Sequence, residues 1–230
     1  MKITQMAAIV GVTLLSVAPR SSFAQASVAL VEDVTGTSSG VEFMDYVNAG
    51  KVIRLGQQGS IVLSYIGSCI REKIKGGTVT VGAEQSEVLS GQIDRTKVAC
   101  DASKMMGTPQ NMSQAAGVIF RGVSRRTVQG DLDPQFTVYG LSPIVQVNGS
   151  GVLIIERLDQ RDESKDVKLS LGQEQLVRGA FFDFATNGTL LVGGAIYRMT
   201  WGTRQVVFKV DPTAKLGRTP IIGRLVRLVP

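Results

Sequence analysis

The chain reads as a mainly β protein: two β-domains behind a cleavable signal peptide. Three observations predict this. Short runs of Val, Ile, Thr and Tyr recur along most of the length, punctuated by 26 glycines in 230 residues, and such residues suit a pleated, half-buried surface. The first 26 residues have the layout of an export signal. The chain holds two cysteines and no histidine, a composition that suits a disulfide better than a metal or a nucleophile–base pair.

The signal segment comes first. Lys2 gives a basic start, residues 7–18 an apolar core, and Ala24-Gln25-Ala26 a small-x-small cleavage site, with cleavage after Ala24 as a second choice. The apolar core is shorter than the ~20 residues a spanning helix needs. An uncleaved anchor is the alternative reading. With no cysteine at the junction, a lipid anchor is disfavoured. No later stretch is long and apolar enough for a second span, so the mature chain is expected to be periplasmic or secreted, without a transmembrane segment. Removing 26 of 230 residues leaves 204, with 23 basic side chains against 19 acidic, because Lys2 and Arg20 leave with the signal. That mild excess does not point to nucleic acid. It suits work near an anionic envelope surface.

Cys69 and Cys100 form an even pair in an exported chain and are expected to be disulfide-bonded, the alternative being two buried thiols. A metal pair would need further ligands, and there is no histidine or third cysteine to supply them.

The first β-domain is assigned to residues 27–117. Its expected strands are 28–35, 41–47, 60–66, 78–81, 86–89 and 96–100, with glycines, Gly76-Gly77 among them, taken as turns. Thr78-Val79-Thr80-Val81 alternates, so one face should be buried and the other wet. Four segments carry a resemblance: Val28-Ala29-Leu30-Val31 leading to Val34-Thr35-Gly36; Gly50-Lys51-Val52-Ile53; Ser60-Ile61-Val62-Leu63; and Gly76-Gly77-Thr78-Val79-Thr80-Val81-Gly82. Together, over residues 28–89, they resemble the periplasmic domain of FecR-like proteins, the iron-dicitrate sensor components. The chain departs from that family in lacking Gly-Asp near Leu55-Gly56 and in carrying the cysteine pair. The resemblance implies an envelope β-module for binding or signalling and implies no iron ligand.

Residues 118–134 are read as a bridge, after a short helix expected over 110–116. Arg121, Arg125 and Arg126 cluster in the bridge. They are candidates to contact an anion or a partner, and a solvated basic face is the plainer reading. Gly130-Asp131-Leu132-Asp133-Pro134 is a turn signal.

Residues 135–212 form the second β-domain, with strands expected at 136–139, 144–147, 151–158, 167–171, 180–184, 195–201 and 205–210. The last two are joined by the Gly202-Thr203-Arg204 hairpin loop. Leu191, Gly194 and Tyr197 fall in the order Leu-x-x-Gly-x-x-Tyr, ahead of a strand, a hairpin and a final strand. This half resembles a fibronectin type III or other immunoglobulin-like sandwich. There a tyrosine hydroxyl pins the corner between sheets, which implies a structural role for Tyr197. It departs in having Gly193 where a proline is common and in placing Trp201 late.

The tail, 213–230, contains Ile221, Leu225 and Leu228, which fit one helix face or an extended strand, beside Arg218, Arg224 and Arg227. It is expected to pack on the domain or on a partner. Arg224 and Arg227 are candidate anion or partner contacts.

Other motifs are weighed and set aside. Gly36-Thr37-Ser38-Ser39-Gly40 has the Gly-x-Ser-x-Gly spacing of a nucleophile elbow, but lacks a helix to follow and a histidine to pair with. Gly67-Ser68-Cys69-Ile70-Arg71 is similar to the Cys-x-Arg end of the L,D-transpeptidase site, again without the histidine. Asp159, Asp162, Glu163 and Asp166 do not follow an EF-hand order. No phosphate loop or dinucleotide fingerprint is present. Asn111, Asn148 and Asn187 start glycosylation sequons, relevant only in a eukaryotic secretory host. The expectation is a non-catalytic envelope protein that binds or scaffolds an unidentified envelope partner, with no cofactor. The alternatives are a structural accessory without its own ligand, or a carboxylate-based hydrolase of envelope glycans.

Overall fold

The computed structural model describes residues 27–36, 40–101, 133–160, 166–218 and 220–229. The signal segment, the 110–116 helix, Arg121, Arg125, Arg126, Ser38, Asp162 and Glu163 lie outside these residues. Among the described residues the architecture is mainly β, and no helix is long and apolar enough to cross a membrane.

The first half contains β1 (Ser27–Thr35), β2 (Tyr46–Asn48), β3 (Val52–Tyr65), β4 (Ile70–Val81), β5 (Ser86–Leu89) and β6 (Gln92–Lys97). They make one antiparallel sheet in the order β2-β1-β3-β4-β5. β6 also pairs with β4, along Ile70 to Lys75, while β5 takes Thr78 to Val81. The glycine pair expected to be a turn lies inside β4. Gly77 sits at φ +78, and a Cβ there would lie 2.4 Å from the Leu89 carbonyl oxygen, so only glycine fits. Opposite the pair, residues 56–59 of β3 drop out of register, between Leu55↔Gly77 and Ser60↔Lys75. The long β3–β4 hairpin bends at this bulge.

Other strand expectations shift: 60–66 and 78–81 fall at the ends of longer strands that begin at Val52 and Ile70. Of 41–47, only Tyr46 and Val47 are in a strand; Met44 takes φ +67 and its side chain is buried. β6 starts at Gln92 and stops at Lys97, before Cys100. The disulfide is present: Cys69 and Cys100 are bonded, with Cα atoms 5.8 Å apart across 31 positions.

The second half is sandwich-like. β7 (Phe136–Gly140), β8 (Ile144–Gln146), β9 (Gly151–Arg157), β10 (Val167–Leu171), β11 (Phe181–Asp183), β12 (Ile196–Trp201), β13 (Arg204–Lys215) and β14 (Leu225–Arg227) form two sheets, β10-β9-β12-β13-β7 and β11-β8-β14. β7 runs parallel to β13, and β14 parallel to β8. The tail is therefore strand rather than helix. Ile221, Ile222, Leu225, Val226 and Leu228 are all buried, more positions than one helix face would cover.

Each half has its own apolar cluster. Ile53, Ile61, Leu63, Tyr65, Ile74 and Val79 centre the first. Phe182, Phe184, Met199, Phe208 and Val210 centre the second, which Val226 and Leu228 complete. A third cluster joins the halves: Leu30 and Met44 from the first meet Ile144, Phe181, Ile221 and Leu225 from the second. β1 is thus buried on both faces. Ala29 and Val31 enter the first core, and Leu30 enters the shared one.

Candidate functional site

The chemically loaded part of the molecule is the junction around this third cluster, together with two further buried carboxylates. On β1, Glu32 is buried (3% exposed). Its Oε2 accepts the Arg71 Nε–H at 2.5 Å, and its Oε1 accepts the backbone N–H groups of Ile221 at 2.5 Å and Ile222 at 3.3 Å. A carboxylate taken out of water needs such partners, because leaving it bare would cost several kcal/mol, roughly. Polar contacts rim the apolar centre. Arg178 pairs with Glu42 and Asp45. The Tyr46 hydroxyl donates to Gln146 Oε1 at 2.9 Å. Arg227 donates its Nε–H to the same oxygen at 3.2 Å and lays its guanidinium 5.2 Å from the Tyr46 ring centroid. Burial raises the Tyr46 pKa, and the Arg227 charge works against that rise.

Ser64, in register with Arg71, is fully buried, and its hydroxyl makes no hydrogen bond among the described residues.

The second carboxylate, Glu72, points into the first core. Both its oxygens accept the Ser86 N–H at 3.1 Å, and Oε1 accepts the Arg95 Nε–H at 2.8 Å. Arg95 closes the ring by donating to the Ser86 carbonyl at 2.6 Å. The hydroxyls of Tyr65 and Ser86 lie 2.7 Å apart. Burial pushes the Tyr65 phenol up to about 12, against the Ser86 hydrogen bond and helped by the Glu72 charge. A phenol that holds its proton so firmly cannot take one from Ser86. The cluster braces β3, β4, β5 and β6.

The third, Asp183, is gripped by Arg224, with Nη1 to Oδ1 at 2.8 Å and Nη2 to Oδ2 at 3.2 Å. Arg224 also donates to the carbonyls of Ser142 (2.8 Å) and Arg218. Arg224 was expected among the anion or partner contacts. It is 2% exposed and its donors face inward, so its role is internal. Arg227 lies at the rim of the junction, on Tyr46 and Gln146. Arg121, Arg125 and Arg126 are outside the described residues.

The remaining sequence-predicted residues fall into separate places. Cys69 and Cys100 are bonded to one another, which leaves Cys69 no thiolate for the chemistry its Cys-x-Arg context resembles. At the 191–197 corner, the Leu191 N–H donates to the Leu141 carbonyl at 2.8 Å, Gly194 donates to Val210 at 2.9 Å, and the Tyr197 hydroxyl accepts the Val192 N–H at 3.0 Å. Asp159 is held by both Nε and Nη2 of Arg157, and chiefly that hydrogen bonding lowers its pKa. Asn148 accepts the Trp201 indole N–H at 2.9 Å.

Sequence reasoning missed Glu32, Glu72 and Asp183. A signal was present for Glu72, the one acid of β4, at the inward position between Ile70 and Ile74. Comparison with family models, curated proteins and solved structures finds no match for this chain.

Proposed function

We propose that this chain is a non-catalytic binding or scaffolding module of the cell envelope, exported by its N-terminal signal. One observation carries the reading: the three buried carboxylates among the described residues, Glu32, Glu72 and Asp183, are each matched by an arginine and by at least one backbone N–H group. These three are committed to holding the fold together, which leaves them unsuited to the acid–base work of a glycan hydrolase and supports the non-catalytic reading. The disulfide supports an oxidising compartment. In this reading residues 27–117 serve as a FecR-like module and residues 135–212 as an immunoglobulin-like sandwich, the latter resting on the Tyr197 bond to Val192. Sandwiches of this kind present edge strands and loops to partners. The partner is an envelope protein or surface.

The test is crosslinking of the tagged mature chain, residues 27–230, in intact envelopes of its own cells, followed by mass spectrometry. An unrelated exported protein carrying the same tag is the control. A partner that recurs with this chain and is absent from the control supports the proposal. Recovery of the bare monomer alone, or turnover of peptidoglycan by the purified chain, overturns it.

A further inference from the structure

We propose that the Cys69–Cys100 bridge is a thiol-sensitive latch on the junction between the halves, and not a staple of the first sheet. The first sheet is held without it. β4 is paired along its length, to β3 on one side and to β6 and β5 on the other, over a buried apolar cluster. The bridge acts on what leaves that sheet. After Lys97 come Val98, Ala99, Cys100 and Asp101, the last described residues before Asp133. On the first-half side this segment has the disulfide and the bond from the Val98 N–H to the Cys69 carbonyl at 2.9 Å. On the other side, Asp101 Oδ2 accepts the Thr137 N–H at 3.2 Å. The Ala99 carbonyl oxygen crowds Gly223 so closely that a Cβ there would sit 2.4 Å from it.

Gly223 ties this contact to the centre of the junction. Its carbonyl accepts the Tyr139 N–H at 2.7 Å, and the two residues before it, Ile221 and Ile222, donate to Glu32. By fixing Cys100, the bridge holds Ala99 over Gly223 and so presses the 221–223 loop onto the Glu32 carboxylate. Cys100 is half-buried whereas Cys69 is buried, so Cys100 is the residue that solvent reaches.

Opening the latch needs an external dithiol. One thiolate of the reagent attacks the Cys100 sulfur, forming a mixed disulfide and releasing Cys69 as a thiolate that takes up a proton. The reagent's second thiol attacks its own sulfur in that mixed disulfide. This frees Cys100 as a thiol and closes the reagent's cyclic disulfide. Two electrons pass to the protein, and two S–H groups replace one S–S bond.

Amide hydrogen exchange on the folded protein, oxidised and after dithiothreitol, tests the latch. Reduction should speed exchange at Tyr139, Ile221 and Ile222 by about tenfold or more, with the amides of β3 and β4 keeping their rates. The Cys69→Ser/Cys100→Ser double variant should show the same pattern without reductant. Gly223→Ala should loosen the same three amides with the bridge intact. The latch is overturned if reduction leaves those three amides unchanged, if β3 and β4 open in step with them, or if the double variant does not fold, since the last two outcomes mark a staple. None of these readings depends on a binding partner, so failure of the latch and failure of the envelope-module proposal are distinguishable.

Discussion

Glu32 and Ile221 lie 189 positions apart in the chain, and the carboxylate of the first accepts the backbone N–H of the second at 2.5 Å. Replacing Glu32 by Ala strands two N–H groups and the Arg71 guanidinium. Equilibrium urea unfolding should show a loss of about 3 kcal/mol. Glu32→Gln keeps one acceptor oxygen and should lose less than Glu32→Ala. Equal stability of wild type and Glu32→Ala would remove this carboxylate from the account of the junction.

The Asp183–Arg224 pair makes a second, independent prediction. Arg224→Met leaves Asp183 charged and buried, at a cost of about 3–5 kcal/mol. Arg224→Lys keeps the charge but not the planar fork, so it should restore only part of that loss. Thermal melts of the three proteins give the order wild type, Arg224→Lys, Arg224→Met. A lysine variant as stable as wild type would mean that charge alone suffices.

Tyr197→Phe removes only the hydroxyl that accepts the Val192 N–H. The expected cost is about 1 kcal/mol, with the fold kept, as read by the denaturant midpoint at an unchanged slope. No change would make the corner bond incidental.

Ser64→Ala should go the other way. The hydroxyl is buried without a partner, so its loss should leave stability unchanged or raise it by up to about 1 kcal/mol. A clear destabilisation would show that the hydroxyl is satisfied in solution.

Alkaline pH tests the Tyr65 cluster. Its folded pKa of about 12 stands above the ordinary value of 10.0. Neutral Tyr65 therefore stabilises the fold fully below about pH 10, and that contribution disappears as pH rises towards 12. Tyrosinate absorbance should show a phenol ionising near 12 that is missing in Tyr65→Phe. The variant's stability should also fall less steeply across that range. A wild-type titration with every tyrosine ionising near 10 would contradict the buried geometry.

The sequence made most strands legible, because β-branched runs and glycine punctuation report a pleat directly. β1, β5, β10 and β12 fall within a residue or so of their expected bounds. It misled where a local signal had a tertiary cause. Residues 70–75 were not read as strand because Glu72 occupies an inward position and breaks the apolar alternation; the carboxylate is tolerated there only because Arg95 and the Ser86 N–H reach it. Gly76-Gly77 looks like a turn, but the glycines are needed for a bend against Leu89. The disulfide was legible from cysteine count and the export signal. The junction was not, since Glu32 and Ile221 have no sequence relationship until β14 lies beside β8.

That distance also has a consequence in time. A ribosome, or a translocation pore passing the chain from its start, delivers Leu30, Glu32 and Met44 long before residues 221–228. Until those residues arrive, the first half's apolar strip lacks Ile221 and Leu225 from its cover, and Glu32 lacks the Ile221 and Ile222 N–H groups. The interval suits a holding chaperone, and it is when a protease would find the protein easiest to destroy. Any stall or truncation before residue 221 leaves the junction without Ile221 and Leu225, and so only partly covered. Quality control of this chain would thus be decided by its late-made segment.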